Sequence, residues 1–136
     1  MNRKAMSAPR IAAASATAVA TLLFAAPSVT ATGAAPADPA KARTAFQACA
    51  ACHSDKAGVT RMGPSLAGIF GKPAAQAKGF RYSPALAKAK LRWDRKTLDA
   101  FIASPKAVVP GNRMSYPGVS DPAKRAAIID YVQSLR

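Results

Sequence analysis

The sequence predicts an all-α domain, and three observations carry that prediction. Apolar residues recur at helical spacing in separate stretches, and no stretch alternates with period two over the length of a strand. Four stretches open on a helix-starting device: Asp38-Pro39, Ser83-Pro84, Asp94 and Asp121-Pro122. The segments between them are rich in Gly and Pro and read as loops and turns.

The elements follow in chain order. Residues 1–31 have the layout of a secretory signal peptide. Arg3, Lys4 and Arg10 stand at the start without an acid, then comes the apolar run "IAAASATAVATLLFAA", then Val29-Thr30-Ala31 in the small-x-small pattern of a cleavage point. The rival reading is a retained membrane anchor. The run is 16 residues long, and a span needs about 20, so cleavage is favoured, with the cut falling between 31 and 37. Residues 38–136 then form one domain. Asp38-Pro39 opens a helix through "AKARTAFQACAAC", with Ala42, Phe46 and Cys49 on one face. Gly58 to Phe80 holds five glycines and two prolines and is loop. Ser83-Pro84 opens a short helix to about Lys90. Asp94 caps another with Leu98, Phe101 and Ile102 inward, ending before Pro105. Ala103 to Ser120 is a long loop, and loops of that length in compact domains are functional or packed on something. Asp121-Pro122 starts the last helix, with Ile128, Val132 and Leu135 as its stripe and Tyr131 beside it.

Composition bounds the function. A domain of about 100 residues buries a modest share of its surface. Much of the 50% hydrophobic content is alanine, so something other than side chains is expected to fill the centre. Three of the 20 Lys and Arg lie in the leader, and all six acids are aspartates beyond it, leaving a charge of about +11. Acidic proteins and anionic membranes are possible partners. Nucleic acid is not: the leader directs export, and no basic run carries interleaved aromatics.

Residues 49–53, "CAACH", hold both cysteines and the one histidine. A structural zinc site wants four ligands, and three are available. A dithiol redox site belongs beside a βαβ pattern, which is missing here. A disulfide across two residues closes almost no loop. Covalent haem attachment through two thioethers, with the adjacent histidine on iron, fits an exported chain. His53 takes one axial position and no second histidine exists for the other. Methionine is the remaining good ligand, and Met62 and Met114 lie beyond the leader. Met62 is close in sequence to His53 and would have to cross quickly to the opposite haem face. Met114 lies 61 residues beyond His53, between the turns at Pro110-Gly111 and Pro117-Gly118, and is favoured. The alternative is an iron left open or bound by lysine. A thioether opposite histidine raises the reduction potential, which suits electron transfer.

With "FQACAACH", "RMGPSLAGIFGK", "GFRYSPAL", "LRWDRKTLDAFIASPKAVVPGNRMSYPGV" and "IIDYVQSL" in this order, the chain resembles a class I c-type cytochrome from about Ala40 to Leu135. The resemblance implies the cytochrome c fold, three to five helices around one covalently attached haem. It also implies single-electron transfer, not enzymatic catalysis. It assigns Cys49 and Cys52 to the thioethers, His53 and Met114 to the iron, and the Pro64 carbonyl to the other histidine nitrogen. Tyr82 and Trp93 would hydrogen-bond a buried haem propionate, with Lys72 nearby. Asn112 would lie near the methionine and Tyr116 would cover the haem edge on that side. Phe46 and Tyr131 would meet where the first and last helices cross. Two positions depart from the family: Ala42 stands where glycine is common, and Tyr116 where phenylalanine is frequent.

The implied protein is an exported, periplasmic, monomeric carrier. It would dock acidic redox proteins or membrane electron-transfer complexes at a basic haem edge near Lys106 and Arg113, with no stable membrane insertion after cleavage. Three alternatives stand beside it: a dedicated haem subunit of an exported dehydrogenase or sulfur-oxidising complex, an enzyme or gas sensor with an open iron, and a haem-free thiol oxidoreductase.

Overall fold

The computed structural model describes residues 38–135. The expected leader, its cut and Arg136 lie outside the described residues. The chain forms five helices: α1 (Pro39–Ala50), α2 (Pro84–Lys88), α3 (Arg95–Ala103), α4 (Pro105–Val108) and α5 (Pro122–Ser134). Among the described residues no β-strand forms, and the one ladder contact is an isolated antiparallel bridge between Pro73 and Arg92. No helix among them is long and apolar enough to cross a membrane.

The four expected starts are where helices begin, and each cap is made. The Asp38 carboxylate accepts from the Ala40 amide at 2.9 Å, Ser83 Oγ from Leu86 at 3.1 Å, Asp94 from Thr97 at 2.7 Å and Asp121 from Ala123 at 2.8 Å. Such caps are worth about 1 kcal/mol each. Proline stands in the first turn of α1, α2 and α5, where its missing N–H costs nothing.

Three expectations need correcting. α1 stops at Ala50 instead of running to Cys52: the Cys52 and His53 amides share Cys49 O, at 3.1 and 2.9 Å, in a closing turn, and Cys52 O then accepts from the Gly63 amide at 2.8 Å as the chain folds back. Arg61 Nη1 donates to Ala50 O at 3.0 Å and closes that end. The loop expected over 103–120 contains α4, a single turn that opens on Pro105 with no side-chain cap. The buried stripe of α5 is wider than Ile128 and Val132, because Ile129 joins them, while Leu135 caps the helix half-buried.

The core sits where α5 meets α1 and α3. Phe46 and Tyr131 pack with ring centroids 4.7 Å apart, and Ala42 is buried on the same face of α1 as Phe46. From α3, Leu98, Phe101 and Ile102 join Ile128, Ile129 and Val132 in one cluster. Each fully buried aliphatic contributes about 1.5–3 kcal/mol. Trp93 packs edge-on against Phe101 at 5.1 Å. Residues 71–74 run beside 91–93: the Gly71 amide donates to Trp93 O at 2.9 Å, Trp93 to Lys72 O at 2.9 Å and Ala74 to Leu91 O at 2.8 Å.

Candidate haem-binding site

Two segments far apart in sequence build the site. The first starts at the end of α1. Cys49 lies in its last turn, and Cys52 and His53 follow in the turn beyond. Both cysteines are half-buried and unbridged. Burial pushes the Cys49 thiol upward in pKa, partly offset by Lys124 on α5.

His53 is fixed from two sides. Its Nδ1 lies 2.8 Å from Pro64 O. A carbonyl only accepts, so Nδ1 carries the proton and Nε2 keeps its lone pair for a metal. Burial lowers the imidazole pKa, with the Pro64 bond acting in the opposite sense. The ring therefore stays neutral, the form that ligates. On its other side the ring presses on Gly63. A Cβ there would come within 2.4 Å of His53 Cε1. Sequence reasoning treated Gly63-Pro64 as a turn and missed this close approach. A glycine directly before the proline whose carbonyl accepts was the available signal.

The second segment is the loop after α4. Asn112 organises it with both ends of its amide. Nδ2 donates to Pro105 O at 2.8 Å and to Val109 O at 2.7 Å, while Oδ1 accepts from the Met114 amide at 2.9 Å. Met114 is half-buried and packs against the core. Gly118 seats the loop on α3: a Cβ there would lie 2.0 Å from Ala103 O, and its φ is +106°. The Val119 amide then donates to Ile102 O at 3.0 Å. Tyr116 is half-buried, and burial, with the Cys49 thiol as a lesser cause, pushes its phenol pKa upward. Met62 is 80% exposed, with its sulfur 3.8 Å from Cys52 Sγ. Of the two methionines, Met114 is the one packed against the core.

A cavity of about 200 Å³ brings Lys72, Gln76, Tyr82 and Trp93 together. The Ala77 amide donates to Tyr82 Oη at 3.2 Å. Burial keeps the phenol protonated against that bond, so its O–H remains a donor. Gln76 and the Ala77 amide were not expected here. They come with the chain between the 71–74 pairing and Tyr82, which no local pattern marks.

The donor set suits a haem. Among the described residues no group of three or more His, Cys, Asp or Glu could hold a bare metal ion. One imidazole and one thioether suit an iron that brings four ligands of its own. Two half-buried thiols stand ready for covalent attachment. Leu66, Ile69, Phe70, Leu86, Leu91 and Val108 are half-buried apolar side chains beside the core, matching a flat apolar ring.

Comparison with known proteins agrees. Residues 39–136 match the family model Cytochrome c. The chain is 48% identical over 96 residues to cytochrome c2 iso-2 of Magnetospirillum fulvum, covering 71% of this chain and 100% of that one. It is 39% identical over 102 residues to cytochrome c2 of Rhodopila globiformis, covering 74% and 96%. Among solved structures, cytochrome cH from Methylobacterium extorquens superposes with a TM-score of 0.66 at 41% identity, covering 71% of this chain and 97% of that one. The chain therefore belongs to the cytochrome c family: it is an electron-transfer protein, not an enzyme, and carries one covalently bound haem c.

Proposed function

We propose that the chain is an exported monohaem carrier with Cys49 and Cys52 in thioether linkage to the haem and His53 and Met114 on its iron. One observation carries this reading: the Pro64 carbonyl holds the proton of His53 Nδ1 at 2.8 Å and leaves Nε2 for the metal. The haem supplies the iron that accepts and releases one electron, and a methionine opposite histidine favours its reduced state.

The chain's own residues do the rest. Pro64 and Gly63 fix the imidazole plane. Asn112 accepts from the Met114 amide and is itself tied to the Pro105 and Val109 carbonyls, and a neutral thioether needs such pre-ordering to stay on a metal. Tyr82 offers its O–H, with Lys72 beside it and the indole of Trp93 lining the same cavity. That is a place for a propionate. Tyr116 limits solvent on the methionine side.

Partners are chosen by charge. All six aspartates are engaged inside the chain. Asp38, Asp94 and Asp121 cap helices, Asp99 and Asp130 pair with Arg125 and Arg95, and Asp55 accepts from Tyr131. Lys106 and Arg113 are exposed and pair with none of these aspartates, so acidic redox proteins and membrane complexes are the expected partners. The leader over residues 1–31 supports export to the periplasm and a domain spanning 38–136. The family match and α1 both begin at residue 39, which is consistent with that division.

Visible spectra of the secreted protein in both redox states test this. A methionine-to-iron band in the oxidised form and no ready carbon monoxide binding to the reduced form are expected. Oxidised and reduced spectra left unchanged by Met114→Ala would overturn the ligation.

A further inference from the structure

Two ion pairs join α3 to α5, and they are not equivalent. Arg95 on α3 pairs with Asp130 on α5 and reaches Gln133 at 3.2 Å. Arg125 on α5 pairs with Asp99 on α3, through Nε at 2.7 Å and Nη2 at 3.4 Å. Arg95 goes no further, and 52% of its side chain is exposed. Arg125 is 13% exposed and does more: its Nη1 donates to Val119 O at 3.0 Å and to Ser120 O at 2.8 Å.

Those two carbonyls end the loop that carries Met114. Among the described residues no backbone amide donates to either. The Val119 amide meanwhile donates to Ile102 O at 3.0 Å, and Val119 itself is buried. One residue is thus tied to α3 through its N–H and to α5 through its C=O. From Met114 to Gly118 the chain holds itself only lightly. Among the described residues the one backbone–backbone bond there joins the Tyr116 amide to Met114 O, at 3.0 Å. The downstream end of the loop is therefore fixed at 118–120, as Asn112 fixes the upstream end.

The shape of the guanidinium explains why arginine stands here. Nε and Nη2 face the carboxylate, and the two N–H groups of Nη1 face the two carbonyls. Four of the five donors in one rigid plane are used. The Asp99 side chain is 44% exposed, and an ion pair with so exposed a partner adds little stability of its own. What Asp99 supplies is alignment. With Nε and Nη2 held on α3, Nη1 is left pointing at the end of the loop.

We propose that Arg125, aligned by Asp99, is a positioning residue for the iron's methionine: it clamps the downstream end of the Met114 loop and so sets how often Met114 leaves the metal and admits an outside ligand. The proposal rests on Met114 being the ligand. A neutral thioether is a weak donor that its loop must hold in place, so local opening at the loop's anchors shows directly in its departure. Arg125 acts through the backbone of residues 119 and 120, five and six residues beyond Met114. The clamp keeps the sixth position closed to small nitrogen bases and so preserves the one-electron role of the carrier.

The test is imidazole binding to the oxidised holoprotein, followed by stopped flow at the methionine-to-iron band. At saturating imidazole the observed rate is that of Met114 leaving. Arg125→Gln is expected to raise it about tenfold and Asp99→Asn about threefold. Arg125→Lys keeps the charge without the planar fork and is expected to stay near Arg125→Gln. Arg95→Gln breaks the other α3–α5 pair and is expected to remain within about twofold of wild type. Native-state hydrogen exchange gives a second readout. In Arg125→Gln the Val119 amide should gain in exchange rate by a larger factor than the buried Ile128 amide of α5. Wild-type imidazole rates in both Arg125→Gln and Asp99→Asn overturn the clamp. So do full rescue by Arg125→Lys, an equal rise in Arg95→Gln, and equal gains in exchange at Val119 and Ile128. A wild-type protein lacking the methionine band would instead defeat the ligation on which the clamp rests.

Discussion

Residues 49–64 and residues 104–119 each supply one face of the site, and they are held by different means. In the first, the contacts that fix Cys52 and His53 lie within a short stretch. Cys49 O receives the amides of Cys52 and His53, and Pro64 O receives His53 Nδ1. In the second, Met114 depends on contacts gathered from further away. Asn112 bonds the carbonyls of Pro105 and Val109 in α4, and Gly118 and Val119 press on Ala103 and Ile102 of α3. One face is therefore set by local chain geometry, the other by how a loop seats on packed helices. Damage to the first should cost the cofactor. Damage to the second should cost only the proposed Met114 ligand.

The largest effect is expected from Cys49→Ser with Cys52→Ser. Acid–organic extraction should then remove all pigment, and far-UV circular dichroism should show a largely unfolded chain, since the binding free energy of a covalent group is also folding free energy. Met114→Ala is expected to keep the pigment covalently attached while abolishing the methionine-to-iron band. Its potential should fall by at least about 60 mV, equivalent to a tenfold loss of preference for the reduced state in a one-electron couple. A Met114→Ala protein that lost its pigment would erase the contrast between the faces.

Smaller lesions sharpen it. Gly63→Ala forces a Cβ to within 2.4 Å of the His53 ring and should lower stability by about 1–3 kcal/mol in denaturant titration. Asn112→Ala removes the bonds that hold Met114 and strands their partners, at about 1–3 kcal/mol. Its distinguishing readout is timing. With denaturant, the methionine band should disappear before global unfolding, whereas in Gly63→Ala the two should vanish together. Tyr131→Phe loses the 3.0 Å bond to Asp55 and keeps the Phe46 stacking. About 0.5–1.5 kcal/mol of stability should go, with band and potential unchanged.

Much of the fold was legible because its signals are local. An Asp or Ser followed by Pro precedes four helices, and in three of them its side chain satisfies orphan amides by itself. The short helix α4 opens on such a pair, Ser104-Pro105, but without a side-chain cap. Four residues carry no periodicity, and a single turn does not pay its nucleation cost without tertiary support. That support is the Asn112 amide on Pro105 and Val109. Ile129 was missed on α5 because a stripe drawn at i, i+4, i+7 is narrower than the face that two neighbouring helices cover.

The sequence by itself determined the donors: two thiols and an imidazole in five residues, two thioethers to choose between, and the helix starts that place them. Those follow from side-chain chemistry and from hydrogen bonds spanning three residues or fewer. The tertiary structure decided which methionine packs half-buried against the core and which stands outside against Cys52. It also decided that Tyr82, Trp93 and Lys72 meet in one cavity. These outcomes turn on burial and on contacts between distant segments, which exist only once the helices have packed.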